Sequence, residues 1–291
     1  MLVYFKEALQ KDPTFAPAYV GLANAYDSLG TVFIGGSPAE ARPKEISAAQ
    51  KALELDPNLS EARVLLAGTE QRQWHWADAE KDYRRALELN PNDTSAHEGF
   101  ALWLLWQGRL EEAIASARRG RELDPLSISG GAVAWILFQS RRYEEAIKES
   151  RSALAVQPDN ASDLFTLGFA LIANNQADEA ILALEHVAAI SNRSPAVLGI
   201  LVRAYAHAGR RSDALQLLAE LKKRQESGYI PAGAFVNAYL GLDQTEQAFG
   251  ALEQAYKEQS NILQFLKVHP YFDPLRGDPR FADLVRRIGL G

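Results

Sequence analysis

The side chains best suited to metal or acid–base chemistry are five histidines, His75, His97, His186, His207 and His269, which fall on five separate segments. No two share a helix face at three- or four-residue spacing and no HExxH occurs, so they read as surface or packing residues rather than a ligand set. The absence of cysteine removes thiolate catalysis, iron–sulfur clusters and cysteine-ligated zinc. No GxSxG elbow, no GxxxxGK[ST] phosphate loop and no GxGxxG after a strand is present, and the doublets Gly35-Gly36 and Gly130-Gly131 lack those contexts. The acid pairs Glu111-Glu112 and Glu144-Glu145 open helical stretches, where negative charge complements the N-terminal dipole. Asn58, Asn92, Asn160 and Asn192 begin N-x-Ser/Thr triplets, but all lie in turns, where Asn serves as a turn and cap residue. The expectation is a chain that is not an enzyme and takes no cofactor or metal.

Charge points the same way. Across 291 residues, 31 Lys and Arg stand against 37 Asp and Glu, a formal charge of −6, which opposes a phosphate-tracking surface. The basic doublets, such as Arg118-Arg119 and Arg210-Arg211, sit at helix ends or turns, where cations suit the dipole. No signal peptide and no uncharged stretch of membrane-spanning length occurs, so a soluble, cytoplasmic chain without nucleic-acid or membrane partners is expected.

The informative pattern is periodic. Pro13, Pro57, Pro91, Pro125 and Pro158 close similar phrases such as KALELDP and RALELNP, at separations of 44, 34, 34 and 33 residues. A small residue stands five positions before each proline: Ala8, Ala52, Ala86, Gly120 and Ala153. A second series, Ala79, Ala113, Ala146, Ala180, Ala214 and Ala248, carries the spacing onward, and turns such as Gln107-Gly108-Arg109 and Ala208-Gly209-Arg210 separate two helical stretches within each unit. Small residues let paired helices approach, large ones such as Leu66, Phe100 and Leu201 fill the space beside them, and stacking buries a stripe that one pair cannot.

The unit resembles the tetratricopeptide repeat family, on Tyr19, Leu22, Ala23 and Tyr26, then Ala79, Tyr83, Ala86 and Pro91, then Leu164, Leu167, Gly168, Leu171 and Ala180. The resemblance implies an all-α, right-handed superhelical solenoid of antiparallel helix pairs with a C-terminal capping helix. Within it, residues 1–15 form a second helix without its first, and 16–260 form seven repeats, the first with a ten-residue insertion around 30–43. Residues 261–291 form a linker and cap. The insertion reads as a lengthened turn plus an extended second helix, with Pro38 and Pro43 suited to a first turn. Leu2, Val3, Phe5 and Leu9 lack a preceding helix and offer an edge for self-association. In the cap, Phe281, Leu284, Val285 and Ile288 share one apolar face.

The closing phrase YFDPLRGDPRFADLVRRIGL is similar to the tail of repeat regions in certain bacterial multidomain signalling and transcriptional regulators. This implies an alternative role as the regulatory or sensor segment of a larger regulator or kinase, contacting its own effector domain or a second copy.

Family mapping places first helices on a concave side that captures a protein or peptide segment. The expected partner-binding groove comprises Asn24 and Arg72, then Leu102, Trp106, Trp135, Phe138, Phe165 and Phe169, then Arg203, His207 and Asn237. The aromatics would supply affinity and the polar flanks orientation. The stretch Leu164–Ala173 is apolar on every side and must be covered, either by a partner or by the chain itself. As a binding strip, the rings of Trp106 and Phe169 would be replaceable by Ala with the thermal midpoint nearly unchanged; as extra core they would not. The carboxylate clamp of chaperone-binding relatives looks absent, because Val20, Glu98 and Gly99 stand where its polar members belong.

Overall fold

A computed structural model describes residues 2–29, 38–124 and 131–291. These residues are helical almost throughout, with none in a strand. Pro125, Gly130 and the apolar tip 31–37 of the insertion lie outside them.

Contacts divide the chain into two compact units. The first comprises Met1–Leu104 with Glu111–Pro125, the second Leu105–Leu110 with Leu126–Gly291.

The first unit begins with α1 (Leu2–Lys11), α2 (Ala16–Leu29) and α3 (Pro38–Leu55). At 18 residues, α3 exceeds the 14 of α5, as an extended second helix requires; Pro38 opens it, whereas Pro43 falls inside it rather than in its first turn. Then come α4 (Ser60–Arg72), α5 (Trp76–Leu89), α6 (Thr94–Trp106) and α7 (Leu110–Leu123), of which the last two residues of α6 through Leu110 belong to the second unit. Ala52, Ala79, Ala86 and Ala113 are fully buried, so the small-residue series does mark close helix approach. The Trp103 indole N–H donates to the Trp76 carbonyl at 3.0 Å, tying α6 to the start of α5.

The second unit continues with α8 (Gly131–Gln139), α9 (Tyr143–Val156), α10 (Ala161–Ala173), α11 (Ala177–Ile190), α12 (Pro195–His207), α13 (Arg211–Ser227), α14 (Ala232–Gly241) and α15 (Thr245–Lys257). Its first helices α8, α10, α12 and α14 pack side by side, and each pairs with the second helix that follows. Asn160 caps α10, its side chain accepting from the Ser162 and Asp163 N–H groups at 3.0 and 3.1 Å, which is the cap role read from the sequence.

The turn joining the two helices of a hairpin recurs in backbone conformation as well as position. Trp74, Gly108, Arg141, Asn175, Gly209 and Asp243 all have positive φ, between 58° and 82°, at 33- or 34-residue spacing. At most of these turns the next N–H reaches back five residues, as in Arg142 to the Leu137 carbonyl at 2.9 Å and Arg210 to the Tyr205 carbonyl at 2.8 Å, closing the first helix. Glycine fills this left-handed position without strain only at Gly108 and Gly209.

After α15 the regular hairpins stop. Residues Asn261–Phe265 and Pro270–Leu275 form two short 3-10 helices, followed by α16 (Pro279–Arg287). The cap packs on α15: Arg280 pairs with Glu246 at 2.8 Å and Arg287 with Glu253 at 2.8 Å, while Phe281, Leu284 and Ile288 are buried.

Candidate functional site

The residues singled out from the sequence separate between the two units. In the first, Asn24 is exposed on α2 and Leu102 is half-buried on α6. Arg72, at the end of α4, has its Nη1 3.2 Å from Asp27 and its Nη2 paired with the buried carboxylate of Glu45. Burial pushes the Glu45 carboxyl up to about 7 against the pull of Arg72. This is an internal charge cluster, so Arg72 is committed to its own neighbours.

In the second unit the aromatic residues come together. Helical spacing puts Trp135 and Phe138 of α8 on the face that meets α10, where Phe165 and Phe169 lie one turn apart, ring centroids 4.8 Å from each other. Trp135 meets Phe169 edge-on at 5.4 Å, and Phe138 lies 5.5 Å from the same ring.

This face is filled by the chain's own residues 261–275. Phe265 sets its ring against Trp106 and Trp135, at 5.5 Å from each. His269 follows, 5.8 Å from Trp135, 5.3 Å from Phe138 and 5.4 Å from Phe169. Tyr271 lies 5.2 Å from Phe169 and donates its hydroxyl proton to the Phe169 carbonyl at 3.1 Å. At the margin, Asp273 accepts from Arg141 at 2.7 and 2.9 Å. Trp106, Phe138 and Phe169 are consequently buried, and Trp135 and Phe165 half-buried. The rings expected to line an open groove meet as a group, but beneath a cover. The stretch read as a linker is that cover, because Leu263, Phe265, Leu266, Val268, Tyr271, Phe272 and Leu275 are too apolar to remain in water.

His269 organises the segment. Its Nδ1 accepts the Tyr271 N–H at 3.1 Å, capping the second 3-10 helix, so the ring proton sits on Nε2. Burial lowers its pKa well below the ordinary histidine range, and Arg203, Arg276 and Arg141 reinforce the shift. Arg203, on α12, lays its guanidinium 3.5 Å from the centroid of the Tyr271 ring.

His207 and Asn237 join none of this. His207 is exposed and meets Asn175 at 3.2 Å, while Asn237 donates to the Gly233 carbonyl of its own helix at 3.1 Å. The side chains of this cover that the sequence reading did not place against the rings are Phe265, His269, Tyr271 and Asp273; the signal was a proline-bearing linker with a core composition. At the other end, Phe5 turns onto Gly21 of α2, Leu2 and Leu9 are half-buried, and Val3 and Tyr4 are the exposed large apolar residues of α1. Among the described residues no His, Asp and Glu cluster could hold a metal ion, and no helix is long and apolar enough to cross a membrane.

Comparison with known proteins matches two sequence models, both described as tetratricopeptide repeat, one over residues 64–128 and 134–195 and the other over 171–228. Hsp70-Hsp90 organizing protein 1 of Glycine max is 29% identical over 124 residues, 40% of this chain and 21% of that protein. The chain thus spans about a fifth of that relative's length. Among solved structures, the Cut9–Hcn1 hetero-tetramer of the APC/C aligns with 99% of this chain and 52% of its own, at 14% identity and a TM-score of 0.66. PilF of Pseudomonas aeruginosa aligns over 75% of this chain and 95% of its own, at 19% identity and a TM-score of 0.55. At those identities the structures speak to the fold alone.

Proposed function

The chain belongs to the tetratricopeptide repeat family, and from that premise we propose that it is a non-enzymatic scaffold that captures a segment of a partner protein on the face formed by its first helices. The observation that carries the proposal is the grip of Trp106, Trp135, Phe138 and Phe169 on residues 261–275. A stretch made of two short 3-10 helices and their connection is held there by ring contacts and one hydrogen bond from Tyr271 to the backbone of α10. Segment capture by inserted rings is a recurring mode of peptide recognition. The relative named an Hsp70-Hsp90 organizing protein is by that name a protein that acts on other proteins, which supports a binding role.

In this reading the chain's own segment is the resident occupant, and a partner competes with it. Trp106, Trp135, Phe138, Phe165 and Phe169 supply affinity and Arg203 supplies charge, with His207 and Asn237 on the flanking helices. Asn24, Arg72 and Leu102 belong to the first unit, with Arg72 held in its own charge cluster, and are not part of this set. A second contact, between copies through Val3 and Tyr4 of α1, follows from their exposure of 63% and 75%. Light scattering that finds a clean monomer at high concentration counts against it.

The groove reading is tested by selecting a random displayed peptide library on the full chain carrying Tyr271→Ala, which loosens the resident segment. Selected peptides should shift tryptophan emission through Trp106 and Trp135, and binding should be lost with Phe165→Ala. A selection that yields nothing, or peptides indifferent to Phe165→Ala, would refute it.

A further inference from the structure

Arg203 is poorly matched by the segment that covers it. Its Nη1 is sealed from solvent with no hydrogen-bond partner. The acid that bears on it, Asp243, acts only from beyond ion-pair distance among the described residues. What the segment offers instead is the face of Tyr271, 3.5 Å away. A ring face attracts a cation less strongly than a hydrogen-bonded carboxylate holds a desolvated guanidinium.

The contrast lies on the same face. Arg141 has both Asp273 oxygens, at 2.7 and 2.9 Å, and Arg276 of the segment shares that carboxylate at 2.7 Å. Three guanidiniums, those of Arg141, Arg203 and Arg276, bear on His269, and Asp273 pairs with two of them. In a chain whose formal charge is −6, this is a local excess of positive charge where the face is most apolar. The resident segment therefore fits at Phe265 and Asp273 and fits worst at Tyr271.

We propose that the partner captured on this face is an acidic segment of another protein, with an aromatic ring in the place of Phe265 and carboxylates in the places of both Tyr271 and Asp273. One carboxylate meets Arg203 and the other Arg141, two residues apart. The inference rests on the scaffold reading above and adds the chemistry of the partner to it.

The test uses two synthetic peptides that copy residues 260–277, one with Tyr271→Glu and one with Tyr271→Gln, which differ in charge and hardly in shape. Each is titrated into the full chain carrying Phe265→Ala and Tyr271→Ala, with tryptophan emission as the readout. The Glu peptide should bind about tenfold tighter or more, as a charge-assisted hydrogen bond at a desolvated cation requires. Arg203→Met in the host should abolish that ratio, whereas Arg141→Met should weaken both peptides and leave the ratio in place. Equal affinities, or a preference that survives Arg203→Met, overturn the inference. If library peptides bind and neither copy does, the register taken from the resident segment is wrong and the inference falls alone. If no peptide of any kind binds, the scaffold reading falls with it. Should the doubly substituted host fail to fold, the same titrations against the unmodified chain and its Arg203→Met form read the same ratio at lower affinity.

Discussion

The hydroxyl of Tyr271 donates to the backbone carbonyl of Phe169 at 3.1 Å, a buried hydrogen bond between residues 102 apart in the chain. The carbonyl belongs to the middle of α10 and the donor to a 3-10 helix, so the bond stitches the terminal segment onto a repeat helix through the carbonyl's second lone pair. Tyr271→Phe keeps the ring and removes the bond. A loss of about 1 kcal/mol is expected from chemical denaturation, since the carbonyl keeps its helical partner. No change in the denaturation midpoint would show that the segment is held by ring packing alone.

Phe169→Ala and Phe138→Ala should each cost about 3–5 kcal/mol and lower the thermal midpoint by several degrees, because both side chains are buried among neighbouring rings. Of the two alternatives that the sequence leaves open for Phe169, an open anchor whose loss spares the midpoint or an additional core ring, its burial favours the second. A midpoint unmoved in either variant would mean that the face is accessible and the cover displaceable at little cost.

Acid should weaken the second unit through His269. Its pKa is depressed by burial, so below about 6.5 the unfolded chain takes up a proton that the folded chain refuses, and stability falls as pH falls from that point. Asp163 in the same unit, raised by burial to about 6, acts in the opposite sense, as do Glu45 and Glu70 of the first unit, both raised to about 7. The comparison that isolates His269 is the unmodified chain against His269→Asn, which keeps a cap acceptor. Between pH 6.5 and 5 the unmodified chain should lose stability relative to the variant. Parallel stability curves would show that the imidazole is solvated.

Two glycines carry different loads. A Cβ on Gly199 would overlap the Ala234 carbonyl where α12 crosses α14, so Gly199→Ala should cost about 2–3 kcal/mol by forcing two helix backbones apart. At Gly209, φ is +74° and a Cβ would meet nothing, so Gly209→Ala should cost only the left-handed backbone penalty, about 1 kcal/mol. Thermal unfolding of the two variants side by side checks the ranking; equal losses would mean that the α12–α14 contact yields.

The hairpin architecture was legible because it is encoded locally. Ala79, Ala113 and Ala180 recur at nearly the helical-pair period because two backbones can meet only at a small side chain, and all three are fully buried. The turns were legible where Gly108 and Gly209 occupy them. At Trp74, Arg141 and Asp243 the same positive φ is imposed on residues that do not advertise it, since closure of the preceding helix outweighs a strain of about 1 kcal/mol.

The fate of the aromatic face was decided elsewhere. Sequence by itself required that the apolar helix Leu164–Ala173 be covered and named the rings that would share a surface, since both follow from side-chain type and helical spacing. Which molecule does the covering depends on a return of the chain from residue 261 across α8 and α10, contacts roughly a hundred residues long in sequence separation. The covering stretch has no helical period to betray its burial, only its composition. Tertiary structure alone sets Tyr271 on Phe169 and leaves Arg203 facing a ring rather than a carboxylate.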